Sequence, residues 1–149
     1  MRKILTILFL LHLVSCDTMD DKMELKNSKE TDAYVRMFFF NQKNIDETMV
    51  GLRKIKKREN TKIGILYSWE SEFEKANEDS LCIAIFKDFK FLNDIYDQIS
   101  LVKSDSLLRV GDYMYKKYTY KDLEDRDWQI KYPDDGFKKG YPIKITENK

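Results

Sequence analysis

The stretch Leu81-Cys82-Ile83-Ala84-Ile85-Phe86 decides the fold of this chain more than any other segment. All six residues are apolar, and the polar residues Ser80 and Lys87 bound the run on either side. A short, unbroken apolar run of this length is typical of a strand that is covered on both faces of its sheet. The sequence therefore predicts a central strand here, with further structure packed on each of its two faces.

Other strands are predicted on both sides of this run, from segments rich in aromatic and β-branched residues and from turn signals. Tyr34–Phe40 and Lys62–Trp69 are expected to precede it as strands. Two hairpins are expected to follow it. Their strands are Leu107–Val110 with Tyr113–Tyr120, and Asp127–Tyr132 with Tyr141–Ile145. The turn signal Pro133-Asp134-Asp135-Gly136 connects the second pair.

Helical spacing of apolar residues appears in two further segments. The first has Asn44 as a predicted cap and runs to Ile55, although Gly51 weakens it and Val50–Lys56 also suits a strand. The second runs from about Phe89 to Lys103, with Phe91, Ile95, Ile99 and Val102 on one face. Glu70–Asp79 is predicted as a short helix or a loop. The expected fold class is α+β, with a mostly antiparallel sheet of about five to seven strands and about two helices packed on one face.

The N-terminal segment has the pattern of a secretory signal. Arg2 and Lys3 precede the apolar run Ile4–Val14, whose 11 residues are too few for a membrane span of roughly 20. Leu13-Val14-Ser15-Cys16 then resembles the bacterial lipobox. That resemblance implies cleavage before Cys16 and acylation of its thiol, so the protein's first partner is a membrane, held through acyl chains on Cys16.

Three regions follow from this pattern: residues 1–15 as a removed signal peptide, 16–32 as the lipidated cysteine with a charged flexible tether, and 33–149 as a single globular domain. Nine of the 16 residues in Asp17–Asp32 are charged, which favours a solvated spacer. Asp17 and the pair Asp20-Asp21 also resemble lipoprotein sorting signals, which in different lineages retain a protein in the inner membrane or send it to the cell surface. We expect a cell-envelope location, with the outer membrane or cell surface preferred and the inner membrane facing the periplasm as the alternative.

Removal of the signal peptide excludes several kinds of chemistry. It takes away the single histidine, His12, so the mature domain has no Ser-His-Asp relay and no histidine-containing zinc site. It also takes two of the 27 basic residues and none of the 26 acidic ones, which changes the net charge from +1 to −1 and argues against a nucleic-acid partner. Cys82 then remains as a lone thiol, predicted to be buried. Because the mature domain lacks histidine, we expect no catalytic residues and no metal site. We also expect no cofactor, since the five glycines match no nucleotide-binding motif.

Two clusters in the last third of the chain are candidates for binding. The first cluster is aromatic, and its candidate partner-binding residues are Tyr113, Tyr115, Trp128 and Tyr132. Exposed aromatic rings can anchor a protein partner or stack on sugars. The alternative is that these rings fill a half-buried sheet. The acidic residues in the same region match no calcium loop and are expected to lie in solvated loops. These residues are Asp122, Glu124, Asp125, Asp127, Asp134 and Asp135.

The sequence thus predicts a lipid-anchored envelope protein whose small, non-enzymatic domain binds another macromolecule, either a protein or a cell-wall component. One alternative is an immunity or inhibitor lipoprotein that blocks a toxin or a cell-wall hydrolase. Another is a small carboxylate-dependent glycan hydrolase, which the limited size of the domain disfavours.

Overall fold

The computed structural model describes residues 19–41, 44–76, 80–87 and 98–145. Within these ranges the chain forms nine strands and three helices. The strands are β1 (Asp20–Asn27), β2 (Ala33–Asn41), β3 (Asn44–Ile55), β4 (Asn60–Ile65), β5 (Leu81–Phe86), β6 (Met114–Tyr118), β7 (Gln129–Tyr132), β8 (Lys138–Lys139) and β9 (Lys144–Ile145). The helices are α1 (Trp69–Ala76), α2 (Gln98–Val110) and α3 (Tyr120–Glu124).

The strands belong to two sheets. The smaller sheet has the order β4-β1-β7, and the larger has the order β8-β6-β5-β2-β3-β9. Pairing is antiparallel throughout, except that β7 joins β1 and β9 joins β3 in parallel. The predicted α+β class is confirmed, and the strands are divided between two sheets instead of forming a single one.

The predicted central strand is confirmed as β5, and all six of its side chains are buried. Leu81, Ile83 and Ile85 point into one hydrophobic cluster, while Cys82 and its alternate neighbours point into another. This division follows from the two-residue period of a strand, which sends successive side chains to opposite faces. The larger sheet therefore has a core on each face, and the thiol of Cys82 is enclosed as predicted.

The two cores contain different helices. The first core joins the two sheets and includes Trp69 and Phe73 of α1. The second lies on the other face of the larger sheet and includes Leu108 of α2 and Ile143. The helices of eight or more residues among those described thus cover opposite faces of the larger sheet, whereas the sequence predicted both on one face.

A buried ion pair joins α2 to the larger sheet. The guanidinium of Arg36, on β2, donates to Ser104 Oγ at 2.9 Å and also pairs with Asp105. Arg36 and Ser104 are both buried. A buried charge needs such partners to offset its lost hydration, so this contact sets where α2 sits on the sheet.

The flexible tether expected over residues 16–32 is corrected for its described part, which begins at Met19. Asp20–Asn27 forms β1, the middle strand of the smaller sheet, and the side chains of Met23 and Leu25 are fully buried. The apolar residues alternate with charged ones, so a single strand turns its charges to solvent and its apolar side chains inward. The folded domain therefore includes β1 and does not begin at Ala33.

Two further local predictions are corrected. Asn44–Ile55 is the strand β3 and not a helix, because it pairs along β2, and the strand alternative for Val50–Lys56 is the one observed up to Ile55. Leu107–Val110 is the last turn of α2 and not a hairpin strand. The helix ends at Gly111, whose φ of +77° suits the left-handed position that closes a helix. The N–H groups of Gly111 and Asp112 donate to the carbonyls of Leu108 and Leu107, completing this motif.

The helical face predicted up to Lys103 is only partly covered by the structure. Phe91 and Ile95 lie outside the described residues, and the helix continues beyond the predicted end to Val110. Val102 is 63% exposed and therefore does not face the core, whereas Leu108 does.

The second predicted hairpin has the expected strands and turn but different partners. Strand β7 lies in the predicted segment Asp127–Tyr132, yet it pairs with β1, and β9 pairs with β3. The turn at Pro133–Gly136 is present, with Gly136 at a φ of +79°. Each strand thus pairs with a strand that lies much earlier in the chain, between Asp20 and Ile55, which local turn signals do not reveal.

Candidate functional site

The start of the fold lies close to the predicted lipidation site. Cys16 itself is outside the described residues, but only two residues separate it from Met19. Asp20 is paired with Ile65 in the smaller sheet, and its carboxylate accepts a hydrogen bond at 3.1 Å from the backbone N–H of Trp69. The beginning of β1 is therefore tied both to β4 and to the first residue of α1.

Exposed apolar side chains surround this end of the smaller sheet. Met19, Leu66 and Tyr67 are 57%, 65% and 61% exposed. Because Asp20 pairs with Ile65, Met19 and Leu66 are the next residues on the two neighbouring strands. The Met19 side chain also lies over Gly64, where an added Cβ would meet the Met19 sulfur. We call Met19, Leu66 and Tyr67 the N-terminal apolar surface. It cannot be recognised from the sequence alone, because the proximity of Met19 to Leu66 depends on the β1–β4 register.

The four aromatic candidates for partner binding are mostly buried. Tyr113, Trp128 and Tyr132 belong to the hydrophobic cores, and Tyr115 is half-buried against the second core. The partner-binding role predicted for the three buried rings is therefore corrected, since their surfaces are already packed against other side chains. Tyr113 also donates its hydroxyl hydrogen bond to the carbonyl oxygen of Tyr141 at 3.0 Å, which holds the C-terminal segment in place.

One aromatic pair in this region keeps an accessible surface. Tyr141 is 42% exposed, and its ring lies edge-on to Tyr115 at 5.4 Å between centroids. Tyr115 thus remains a candidate for partner binding, together with Tyr141, which the sequence placed in a strand. The exposure of Tyr141 depends on the tertiary structure, in which β9 pairs with β3 and not with β7.

A polar cluster connects β1 to α1 and α3. The carboxylate of Glu70 accepts a hydrogen bond from the Tyr120 hydroxyl at 2.7 Å and pairs with Lys22. The ammonium of Lys22 also lies 4.1 Å from the centroid of the Trp128 ring, a favourable cation–π distance. The hydrogen bonds from Lys22 and Tyr120 stabilise the charged form, which lowers the pKa of Glu70 to about 2. Glu70 is therefore a carboxylate at neutral pH and has no proton to donate.

Several acidic residues of the predicted cluster form separate hydrogen bonds that stabilise the fold, and they do not converge on one binding site. Asp135 accepts hydrogen bonds from Arg126 Nη2 at 3.1 Å, from the Tyr118 hydroxyl at 2.9 Å and from the Lys131 N–H at 2.8 Å. Burial by itself would raise the pKa of Asp135, but these hydrogen bonds outweigh it and lower the pKa. This cluster fixes the turn after β7 against β6.

Two other members of the acidic cluster also have local roles. Asp122 forms a capping box with Thr119 at the start of α3, and hydrogen bonds from Thr119 lower its pKa. Asp134 accepts a hydrogen bond from Ser28 Oγ at 2.8 Å. These carboxylates therefore organise turns and helix ends.

Within the described ranges, no three His, Cys, Asp or Glu side chains are placed together so that they could hold a metal ion. Burial raises the pKa of the Cys82 thiol, so this sulfur is a poor nucleophile. None of the helices described is long and apolar enough to span a bilayer. No protein-family model, no curated protein and no solved structure matches this chain.

Proposed function

We propose that this chain is a lipid-anchored protein of the bacterial cell envelope, in which Cys16 carries the acyl chains and the folded domain binds another macromolecule. The observation that carries the proposal is the lipobox-like sequence Leu13-Val14-Ser15-Cys16 directly after a short signal-like run. Two or three acyl chains, at about 0.8 kcal/mol for each buried CH₂, hold a protein on a bilayer almost permanently. In this proposal the outer membrane or cell surface is the preferred site.

The chemistry of the described residues supports a binding domain over an enzyme. A glycan hydrolase needs a carboxylic acid whose pKa is raised so that it can protonate the leaving group. Asp32, Glu70, Asp122 and Asp135 are the described carboxyl groups with a shifted pKa, and each shift is downward. The mature chain also lacks histidine, and Cys82 is enclosed. We therefore propose a non-enzymatic role without metal or cofactor.

The proposed anchor is tested by replacing the acylated thiol. In Cys16→Ser the protein should leave the membrane fraction after a high-salt wash and lose the mass of its acyl chains. Cys82→Ala is the matched control, because it removes the other cysteine without touching the lipobox, and it should stay in the membrane fraction. Retention of Cys16→Ser on the membrane, or a wild-type Cys16 without acyl mass, would contradict the proposal.

The proposed partner surface is the Tyr115–Tyr141 pair, because it combines accessible aromatic area with a fixed ring geometry. Tyr141→Ala keeps the backbone carbonyl that Tyr113 uses, so the fold should persist. Photo-crosslinking of the acylated protein in envelope preparations should give an adduct that is lost in Tyr141→Ala and kept in Tyr67→Ala. An adduct of equal yield in both variants would place the partner elsewhere.

A further inference from the structure

We propose that the N-terminal apolar surface, formed by Met19, Leu66 and Tyr67, lies directly against the lipid bilayer and orients the domain on it. This inference rests on the proposed acylation of Cys16. It differs from a simple anchor, which would hold the domain near the membrane without selecting a face.

The length of chain between the anchor and the fold supports this orientation. Three Cα–Cα steps separate Cys16 from Met19, and they reach at most about 11 Å when fully extended. The headgroup layer on each side of a bilayer is roughly 5–8 Å thick. The first residue of β1 must therefore remain within a few ångströms of the headgroups, because β1 contains the residues that a longer spacer would need.

The chemistry of the surface matches a membrane interface. Leu66 and Met19 offer apolar area, while tyrosine is enriched where a bilayer meets water because one end of its ring is polar. Single exposed apolar residues are ordinary on a protein surface. This group differs because its three members come from two chain segments that the β1–β4 register brings to one end of the sheet.

Charged groups beside this surface do not oppose contact with lipid. The carboxylate of Asp20 lies 3.5 Å from the Lys22 ammonium, and that of Asp21 lies 3.2 Å from the Lys62 ammonium. The ammonium of Lys75 lies 4.4 Å from the centroid of the Tyr67 ring. The carboxylates of Asp20 and Asp21 are therefore paired with lysines, and Lys75 also pairs with Glu72 at 2.9 Å, so the described charges beside this surface are balanced.

A tryptophan reporter distinguishes this surface from the far end of the same sheet. Leu66→Trp places the reporter on the N-terminal apolar surface, and Tyr67→Trp is a second variant in case the first does not fold. Lys57→Trp is the matched control, because Lys57 is exposed in the β3–β4 loop. The strand pairing runs from Asp20–Ile65 to Lys26–Asn60, so this loop is about 20 Å farther along the sheet. The native Trp69 and Trp128 are buried, and their contribution is measured with the wild-type protein in the same vesicles and subtracted.

The measurement uses the acylated protein in vesicles of phosphatidylethanolamine and phosphatidylglycerol, with and without brominated acyl chains. We expect at least twofold stronger quenching for Leu66→Trp than for Lys57→Trp, with a shift of emission to shorter wavelength. Equal quenching in the two variants overturns the orientation and leaves the surface to a protein partner. Mass spectrometry of the same sample separates the two proposals: an acylated Cys16 with equal quenching overturns the orientation alone, whereas an unmodified Cys16 overturns the anchor and the orientation that rests on it.

Discussion

The substitution Leu25→Ala tests most directly whether the segment before Ala33 is part of the folded domain. Leu25 is 0% exposed, lies on the middle strand of the smaller sheet and is paired with Thr61 on one side and Ile130 on the other. Its side chain belongs to the core that joins the two sheets. Truncation therefore removes apolar contacts and leaves a cavity that strands on both sides restrict from closing.

The expected effect is large compared with the stability of a domain of this size. A buried Leu→Ala change lowers the free energy of unfolding by about 2–5 kcal/mol. Because Leu25 is enclosed between two sheets, we expect a loss of about 3 kcal/mol. The total free energy of unfolding of such domains is about 5–15 kcal/mol. With a urea dependence of about 2 kcal/mol per M, the unfolding midpoint should fall by about 1.5 M.

The assay is urea unfolding of the purified protein in non-ionic detergent, followed by the fluorescence of the buried Trp69 and Trp128. Lys26→Ala is the control, because Lys26 is the exposed neighbour on the same strand. Its free energy of unfolding should change by less than about 0.5 kcal/mol, so its urea midpoint should move by less than about 0.3 M. If Leu25→Ala unfolded at the same urea concentration as the wild type, residues 20–27 would not contribute to the core and the assignment of β1 would be wrong.

Three further predictions concern single side chains and the backbone. Because the pKa of Glu70 is lowered from 4.5 to about 2, its charged form stabilises the fold above pH 4.5, and this stability is lost as the pH falls towards about 2. Glu70→Gln should therefore lower the thermal midpoint at pH 7 and match the wild type near pH 2. A constant difference between the two proteins across this range would refute the ion pair with Lys22. The Cys82 thiol should resist a thiol reagent in the native protein and react fully in urea, and rapid native labelling would show that β5 is not enclosed. Gly111→Ala should destabilise the protein by about 1–2 kcal/mol in denaturant titrations, because Gly111 has a positive φ and an added Cβ would lie 3.0 Å from the backbone carbonyl carbon of Tyr141. A Cβ added at Gly51 meets nothing within 4 Å, so Gly51→Ala should change the midpoint little.

Features that depend on neighbouring residues in the sequence could be predicted well. The apolar run Leu81–Phe86 indicated a strand buried on both faces, and β5 has that property. Glu70–Asp79 was predicted as a short helix or a loop, and the helix is observed over Trp69–Ala76; the turn at Pro133–Gly136 was also found. In each case the residues that indicate the element, an unbroken apolar run or a set of turn residues, lie within a few positions of each other, so local sequence is sufficient to predict it.

Features that depend on distant partners were predicted poorly. Met23 and Leu25 were too few to build a core alone, but β4, β7 and the larger sheet supply the remaining apolar surface. The apolar residues of Asn44–Ile55 have helical spacing, yet the segment is a strand because its backbone forms hydrogen bonds with β2. A segment's own composition does not show what will cover it, and coverage decides which state has the lower free energy.

The same division applies to the candidate site. The sequence by itself determined the lipobox-like motif at Cys16 and the absence of histidine after His12, because both are properties of the covalent chain. Only the tertiary structure decided that Tyr113, Trp128 and Tyr132 are buried, since their rings pack against strands far away in sequence. Only the tertiary structure placed Met19 beside Leu66, because the hydrogen-bonded register of β1 with β4 joins residues more than 40 positions apart.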